Sequence, residues 1–206
     1  NPNNLEILLK DISIEHIRID FKNYTDKFVN EWIAFIENKK ENGAFHGNED
    51  FSHPNYCGTT IFAKGDTAKE QIKDAFEKGK KEKGNIQFHF FIGQQYFIEI
   101  AKLRAFRILW KEKTGKQAFV FAEIATKNQQ KDNTYNNLIS STTACMSAIF
   151  GGADSILVNS YNEEKPSSDF SERLARNQQN ILRNESFLDK VQDPTAGAYF
   201  MEHLTA

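Results

Sequence analysis

Short stretches rich in β-forming residues alternate with longer stretches of helical periodicity, and this alternation limits the fold more than any other feature. HIRIDF (16–21), TTIFA (59–63), IQFHFFI (86–92), FVFAEI (119–124) and SILVN (155–159) carry the branched and aromatic side chains that suit strands. A weaker strand lies around Ala44–His46. Helical spacing predicts helices over 26–38, 68–83, 96–113, 133–150 and 169–184. Strands joined through helices pair in parallel, because a parallel neighbour is reached only by a crossover. The expectation is an α/β fold of βα units. With no internal repeat beyond this alternation and no low-complexity linker, residues 1–206 read as one domain.

Two helices say more. In 133–150 the residues Tyr135, Leu138, Ile139, Thr142, Cys145, Met146 and Ile149 form one stripe. Asp132 is placed to cap its start, and Gly151-Gly152 to stop it. Cys145 on that stripe reads as a small core residue. Helix 96–113 instead has two stripes, Phe97, Ile98, Ala101, Ala105, Ile108 and Leu109 on one side, and Leu103, Phe106 and Trp110 on the other. A helix apolar on two sides is covered on two sides. Leu103, Phe106 and Trp110 are therefore interface candidates, facing either a partner subunit or more of their own chain.

Composition excludes several classes of function. A net charge of −2 gives no global field toward nucleic acid or a membrane surface. No apolar run is long enough to cross a bilayer. Cys57 and Cys145 lack metal-ligand spacing, which fits a reducing, cytoplasmic compartment. The eighteen phenylalanines imply an interior filled by large rings or an apolar surface shared with another subunit.

Motifs that carry chemistry are sparse. There is no GxGxxG and no P-loop. The histidines never pair as HxxxH, and HGNEDFSH (46–53) reads as a polar turn before it reads as a metal loop. His89, between Phe88 and Phe90, reads as a satisfied interior histidine. Glu163-Glu164 are neighbours that repel into solvent. One carboxylate stands out: Glu123, near the end of the strand 119–124 and before a polar loop, where strand–loop–helix enzymes place catalytic groups.

FFIGQQYFIEIAKLRAFRILW (90–110) resembles a segment of the methylmalonyl-CoA mutase family. The resemblance continues through YNN (135–137), AIFGGADSI (148–156), SDFSERLARNQQNIL (168–182) and DPTAGAYFMEHLT (193–205). Before residue 86 it is loose. It implies a TIM-type (β/α) barrel, partial relative to the family's eight units, in an enzyme that interconverts methylmalonyl-CoA and succinyl-CoA with adenosylcobalamin. The family's cobalamin domain carries a D-x-H-x-x-G motif whose histidine ligates cobalt. That motif does not occur here, so the cofactor belongs to the holoenzyme and not to this chain.

Aligned on Thr126 and Tyr135-Asn136-Asn137, Glu123 stands where catalytic family members carry a histidine, and Leu157 stands at a second histidine position. An ionised carboxylate cannot donate a hydrogen bond to a thioester carbonyl, and it repels the carboxylate of a methylmalonyl group. The alanines of DPTAGAYF resemble the family's small, non-catalytic subunits. The resemblance thus implies a chain without catalytic residues, supporting a large catalytic subunit in a heterodimer that handles acyl-CoA. Glu123, Asn159 and Ser160 are vestigial substrate-binding candidates, and Phe88, Phe90, Phe119 and Phe121 are candidates to plug the interior. Two other readings stay open: a divergent acyl-CoA mutase that borrows a cobalamin domain, and an acyl-CoA binding module.

Overall fold

The computed structural model describes residues 9–10, 17–36, 42–46, 56–127, 129–130, 134–162 and 168–206. They fall into two compact units, one within Asn1–Ile61 and Lys81–Gln87, the other within Phe62–Lys80 and Phe88–Ala206. In chain order the elements are β1 (Arg18–Phe21), α1 (Asp26–Ile36), β2 (Asn42–Phe45), β3 (Tyr56–Cys57), β4 (Thr59–Phe62), α2 (Ala68–Gly79) and β5 (Ile86–Ile92). Then come α3 (Tyr96–Thr114), β6 (Val120–Ile124), α4 (Thr134–Phe150), β7 (Ser155–Leu157), α5 (Asp169–Asn184) and α6 (Tyr199–Thr205). The strands make two sheets, ordered β1-β2-β3 and β4-β5-β6-β7. The pairs β1–β2, β2–β3, β5–β6 and β6–β7 are parallel. The architecture is mixed α/β with parallel pairing, compatible with part of a (β/α) barrel, and no closed barrel is found among the described strands.

In the first unit, α1 buries Val29, Trp32 and Ile36 against Phe45 of β2 and Tyr56 of β3. Phe21 meets Trp32 edge-on at 4.8 Å and stacks on Phe45 at 5.3 Å. Rings thus do much of the filling that small aliphatics do elsewhere. Thr60 Oγ1 donates to the Phe45 carbonyl, and Gln87 bridges Thr60 and Arg18.

In the second unit, alternation along β5 divides its side chains between two faces. Phe88 and Phe90 point at α3: Phe88 lies 4.7 Å from both Phe106 and Trp110, and Phe90 lies 4.9 Å from Phe106. Of the two covers open for this stripe, a partner subunit or more of the same chain, the second is the one found. Leu103 and Phe106 are 0% exposed and Trp110 4%, so these three form the core of their own chain. It is the other stripe of α3 that meets solvent. Ile98, Ala105 and Ile108, with Ala68, Ile72 and Leu204, line an open apolar groove of about 620 Å³ between α2, α3 and α6. Phe88 and Phe90 likewise plug no interior, since they face the helix.

Close approach requires glycine at 79. A Cβ on Gly79, the last residue of α2, would lie 2.6 Å from the Phe88 ring and 2.9 Å from Trp110. The start of α2 is fixed by a capping box in which Thr67 and Glu70 bond each other's backbone N–H.

The stripe expected for α4 is also corrected. Asn137, Ser141, Ala144, Cys145, Ser147 and Ala148 are buried, whereas Tyr135 is 68% and Ile139 66% exposed. Small residues let the helix sit close to its neighbours, and each buried hydroxyl has a partner: Ser147 Oγ donates to the Ala144 carbonyl, and Ser141 bonds Gln178 of α5. Asp132, the expected cap, lies outside the described residues, as do Glu163, Glu164 and most of the 46–53 turn. Gly152 does end the helix, with φ of 81°.

The polar residues of EIAKLRA prove to be ties. Lys102, buried along α3, pairs with Glu99 and donates to Gln71 Oε1 of α2 and to the Phe91 carbonyl of β5, each at 2.9 Å. Burial pulls its ammonium below the usual lysine range, against the pull of Glu99. Arg104 grips Asp193 and Glu202, and its Nη1 also donates to Thr205, holding α6 and the loop before it on α3. Arg107 bonds Asp154, whose carboxylate in turn accepts from the Val120 N–H.

Candidate functional site

The face of β5 and β6 turned away from α3 carries His89 and Phe91 on β5, and Phe121 and Glu123 on β6. Register pairs Phe91 with Glu123, and Glu123 with Leu157 of β7. The two positions where the family resemblance expects histidines are therefore direct cross-strand neighbours. Neither side chain present there can act as an imidazole.

Glu123 is engaged within its own unit. Its Oε2 lies 3.1 Å from His89 Nε2, and its Oε1 accepts from Asn159 Nδ2 at 3.1 Å. Asn159 also donates to the Ile124 carbonyl at 3.3 Å. His89, 1% exposed, is packed among Phe62, Phe91 and Phe121, with ring centroids 4.7, 4.8 and 4.9 Å away. Its ring neighbours come from three strands, and the Glu123 carboxylate lies beside it. Of the expected site residues, Glu123 and Asn159 are brought together. Ser160 turns instead into its own loop, where its Oγ donates to Asn162 Oδ1 at 2.6 Å. Leu157 is half-buried beside Glu123.

At the strand ends lies a cavity of about 20 Å³, lined by residues including Gly93, Ile124, Thr126, Gln129, Asn137 and Asn159. That is room for about one water, far below the ~300 Å³ at which small-molecule sites begin. Asn137, the last residue of YNN, fixes its rim. Its Oδ1 accepts from the Gln130 N–H, while its Nδ2 donates to the carbonyls of Gln130 and Tyr161. One amide thereby holds both loops, the one after β6 and the one after β7. Residue reading did not single out Asn137 or Gln129 as site residues, nor the tie between His89 and Glu123. The available signal was parity: 89 and 91 share a face, as do 121 and 123, but which strand lies beside which is set by the fold.

Among the described residues no cluster of three or more His, Cys, Asp or Glu could hold a metal ion. No described helix is long and apolar enough to cross a membrane. Cys145, buried in α4, has its thiol pushed up to about 12 by burial, which leaves it un-ionised at neutral pH.

The sequence matches the family model for methylmalonyl-CoA mutase over residues 70–206. It is 40% identical over 147 residues to the methylmalonyl-CoA mutase small subunit of Porphyromonas gingivalis, covering 66% of this chain and 24% of that protein. It is 37% identical over 150 residues to the methylmalonyl-CoA mutase of Rhizobium meliloti, covering 66% of this chain and 21% of the relative. With the mitochondrial methylmalonyl-CoA mutase of Bos taurus it shares 37% identity over 131 residues, 58% of this chain and 18% of the bovine protein. The chain thus spans a quarter or less of the length of these curated relatives. Polar ties such as Glu99–Lys102 and Arg104–Asp193 lie inside the matched stretch, and with the model match over most of its length this chain belongs to the methylmalonyl-CoA mutase family.

Proposed function

We propose that this chain is part of a small, non-catalytic subunit that supports a larger catalytic subunit of an adenosylcobalamin-dependent methylmalonyl-CoA mutase. The observation that carries the reading is the Glu123–Leu157 pair. At the two neighbouring positions where catalytic members place histidines, this chain has a carboxylate that accepts a hydrogen bond from Asn159 and lies 3.1 Å from His89 Nε2, and a leucine. Neither can donate a hydrogen bond to a thioester carbonyl as an imidazole does. The cavity beside them has space for a water and not for a pantetheine arm.

The described residues do not fit cobalamin. The sequence contains no D-x-H-x-x-G, and the His89 imidazole in the middle of β5 is walled by rings and lies against Glu123. On this reading the cofactor and the acyl-CoA are held by the large subunit. What this chain contributes is a folded surface on which the partner is built. The small-subunit name of the Porphyromonas gingivalis relative supports this assignment.

The test is a pull-down with the full-length protein, followed by a mutase assay of the eluate and of the purified protein alone. Adenosylcobalamin-dependent activity is expected only when a larger, cobalamin-binding protein co-elutes. Turnover by the protein supplied with an isolated cobalamin domain would overturn the reading.

A further inference from the structure

We infer that His89 and Asn159 form a carboxylate-binding site which the chain fills with its own Glu123. The two carboxylate oxygens face separate groups: Oε1 accepts from Asn159 Nδ2 at 3.1 Å, and Oε2 lies 3.1 Å from His89 Nε2. These groups come from β5 and from the segment after β7, on either side of the strand that supplies Glu123. Both are held by contacts that do not involve Glu123. The His89 ring is clamped by Phe62, Phe91 and Phe121, and the Asn159 amide also bonds the Ile124 carbonyl. Groups fixed independently of their ligand are preorganised for it, and preorganisation is what lets a small anion bind without a large ordering cost.

The ligand class follows from the atoms. Truncating Glu123 to alanine removes one methylene and one carboxylate, which together match an acetate ion. The hollow left behind would be bounded by the same two groups and by apolar rings, so it would take a short monocarboxylate in preference to a neutral amide or a halide. A route in exists, because the Glu123 side chain is 13% exposed and Asn159 lines the small cavity at the strand ends. The inference rests on this geometry and not on the pairing with a large subunit, so its test can fail while that reading stands.

The experiment uses the full-length protein carrying Glu123→Ala, with thermal unfolding followed in sodium acetate, in sodium chloride of equal ionic strength, and in acetamide. Acetate is expected to recover most of the Tm lost by the variant, saturably, with no comparable effect on the parent protein. Chloride and acetamide are expected to recover none of it. Adding Asn159→Ala or His89→Phe to Glu123→Ala should abolish the recovery. Equal shifts in acetate and chloride, or recovery that survives in the double variants, would overturn the assignment. Should Glu123→Ala fail to fold in chloride, its refolded yield in acetate against chloride decides in the same way, and equal yields would refute the site.

Discussion

Replacing Phe106 by alanine separates the two roles that the apolar sides of α3 could have. Phe106 is fully buried and touches Phe88 and Phe90 edge-on, with Trp110 stacked 6.2 Å away. Truncating a buried phenylalanine costs about 3–5 kcal/mol through lost transfer energy and the cavity left behind. The tight ring geometry argues for the upper half, because Phe88 is pinned between Trp110 and Gly79 and cannot collapse into the gap. Against a total stability of roughly 5–15 kcal/mol the loss is large. It is measured on the full-length protein by urea unfolding, where the midpoint should fall with little change in slope. Ile108→Ala, on the half-exposed side of the same helix, should cost about 1 kcal/mol or less. If Phe106→Ala costs under about 1 kcal/mol and instead abolishes capture of a larger subunit, its side chain is an interface residue and the assignment of faces is wrong.

Arg104→Met should loosen the end of the second unit alone. Hydrogen exchange is expected to quicken across Gly197–Thr205 while β5 and β6 stay protected. Arg104 holds the Glu202 carboxyl below its ordinary value of 4.5. A depressed carboxyl stabilises fully above that value and loses the effect as pH falls through the depressed one. Protection of α6 should therefore decline as pH drops below 4.5, and unchanged exchange at pH 3 would refute the clamp. Cys145 should resist alkylation at pH 8 in the native protein and react on unfolding, read by mass spectrometry; rapid native labelling would contradict its burial. Isothermal titration of the full-length protein with a short acyl-CoA should give no heat, and saturable binding would favour an acyl-CoA module.

β5 was legible to the residue, and so was α5, because a run of β-formers or a clean amphipathic pattern bounded by a serine cap leaves little choice. β3 was not expected, since two residues carry no period, and α6 was not, since a short helix tied down by Arg104 owes its place to a residue far away in sequence. The face of α4 was misread for a different reason. Hydrophobic spacing ranks large residues as core, but this helix buries Asn137 and Ser141 because loop carbonyls and Gln178 satisfy them. On α3 both stripes were visible in the sequence. Which one lay inward depended on β5 presenting Phe88 and Phe90 to it. At the site, Glu123 drew notice as a lone carboxylate at a strand end, while its closeness to His89 depended on strand order and register.

The adjacency of Glu123 and Leu157 couples the two positions, so that a change at either is felt across one strand pair. A histidine introduced at 123 would confront the imidazole of His89 where the carboxylate now lies 3.1 Å from it, and would leave Asn159 without its acceptor carboxylate. One at 157 would press a ring against the same crowded face. Each such substitution on its own disturbs the packing of this face, so changing either position calls for compensating changes around it. The present pair is entrenched: the requirement to fold is by itself enough to keep it.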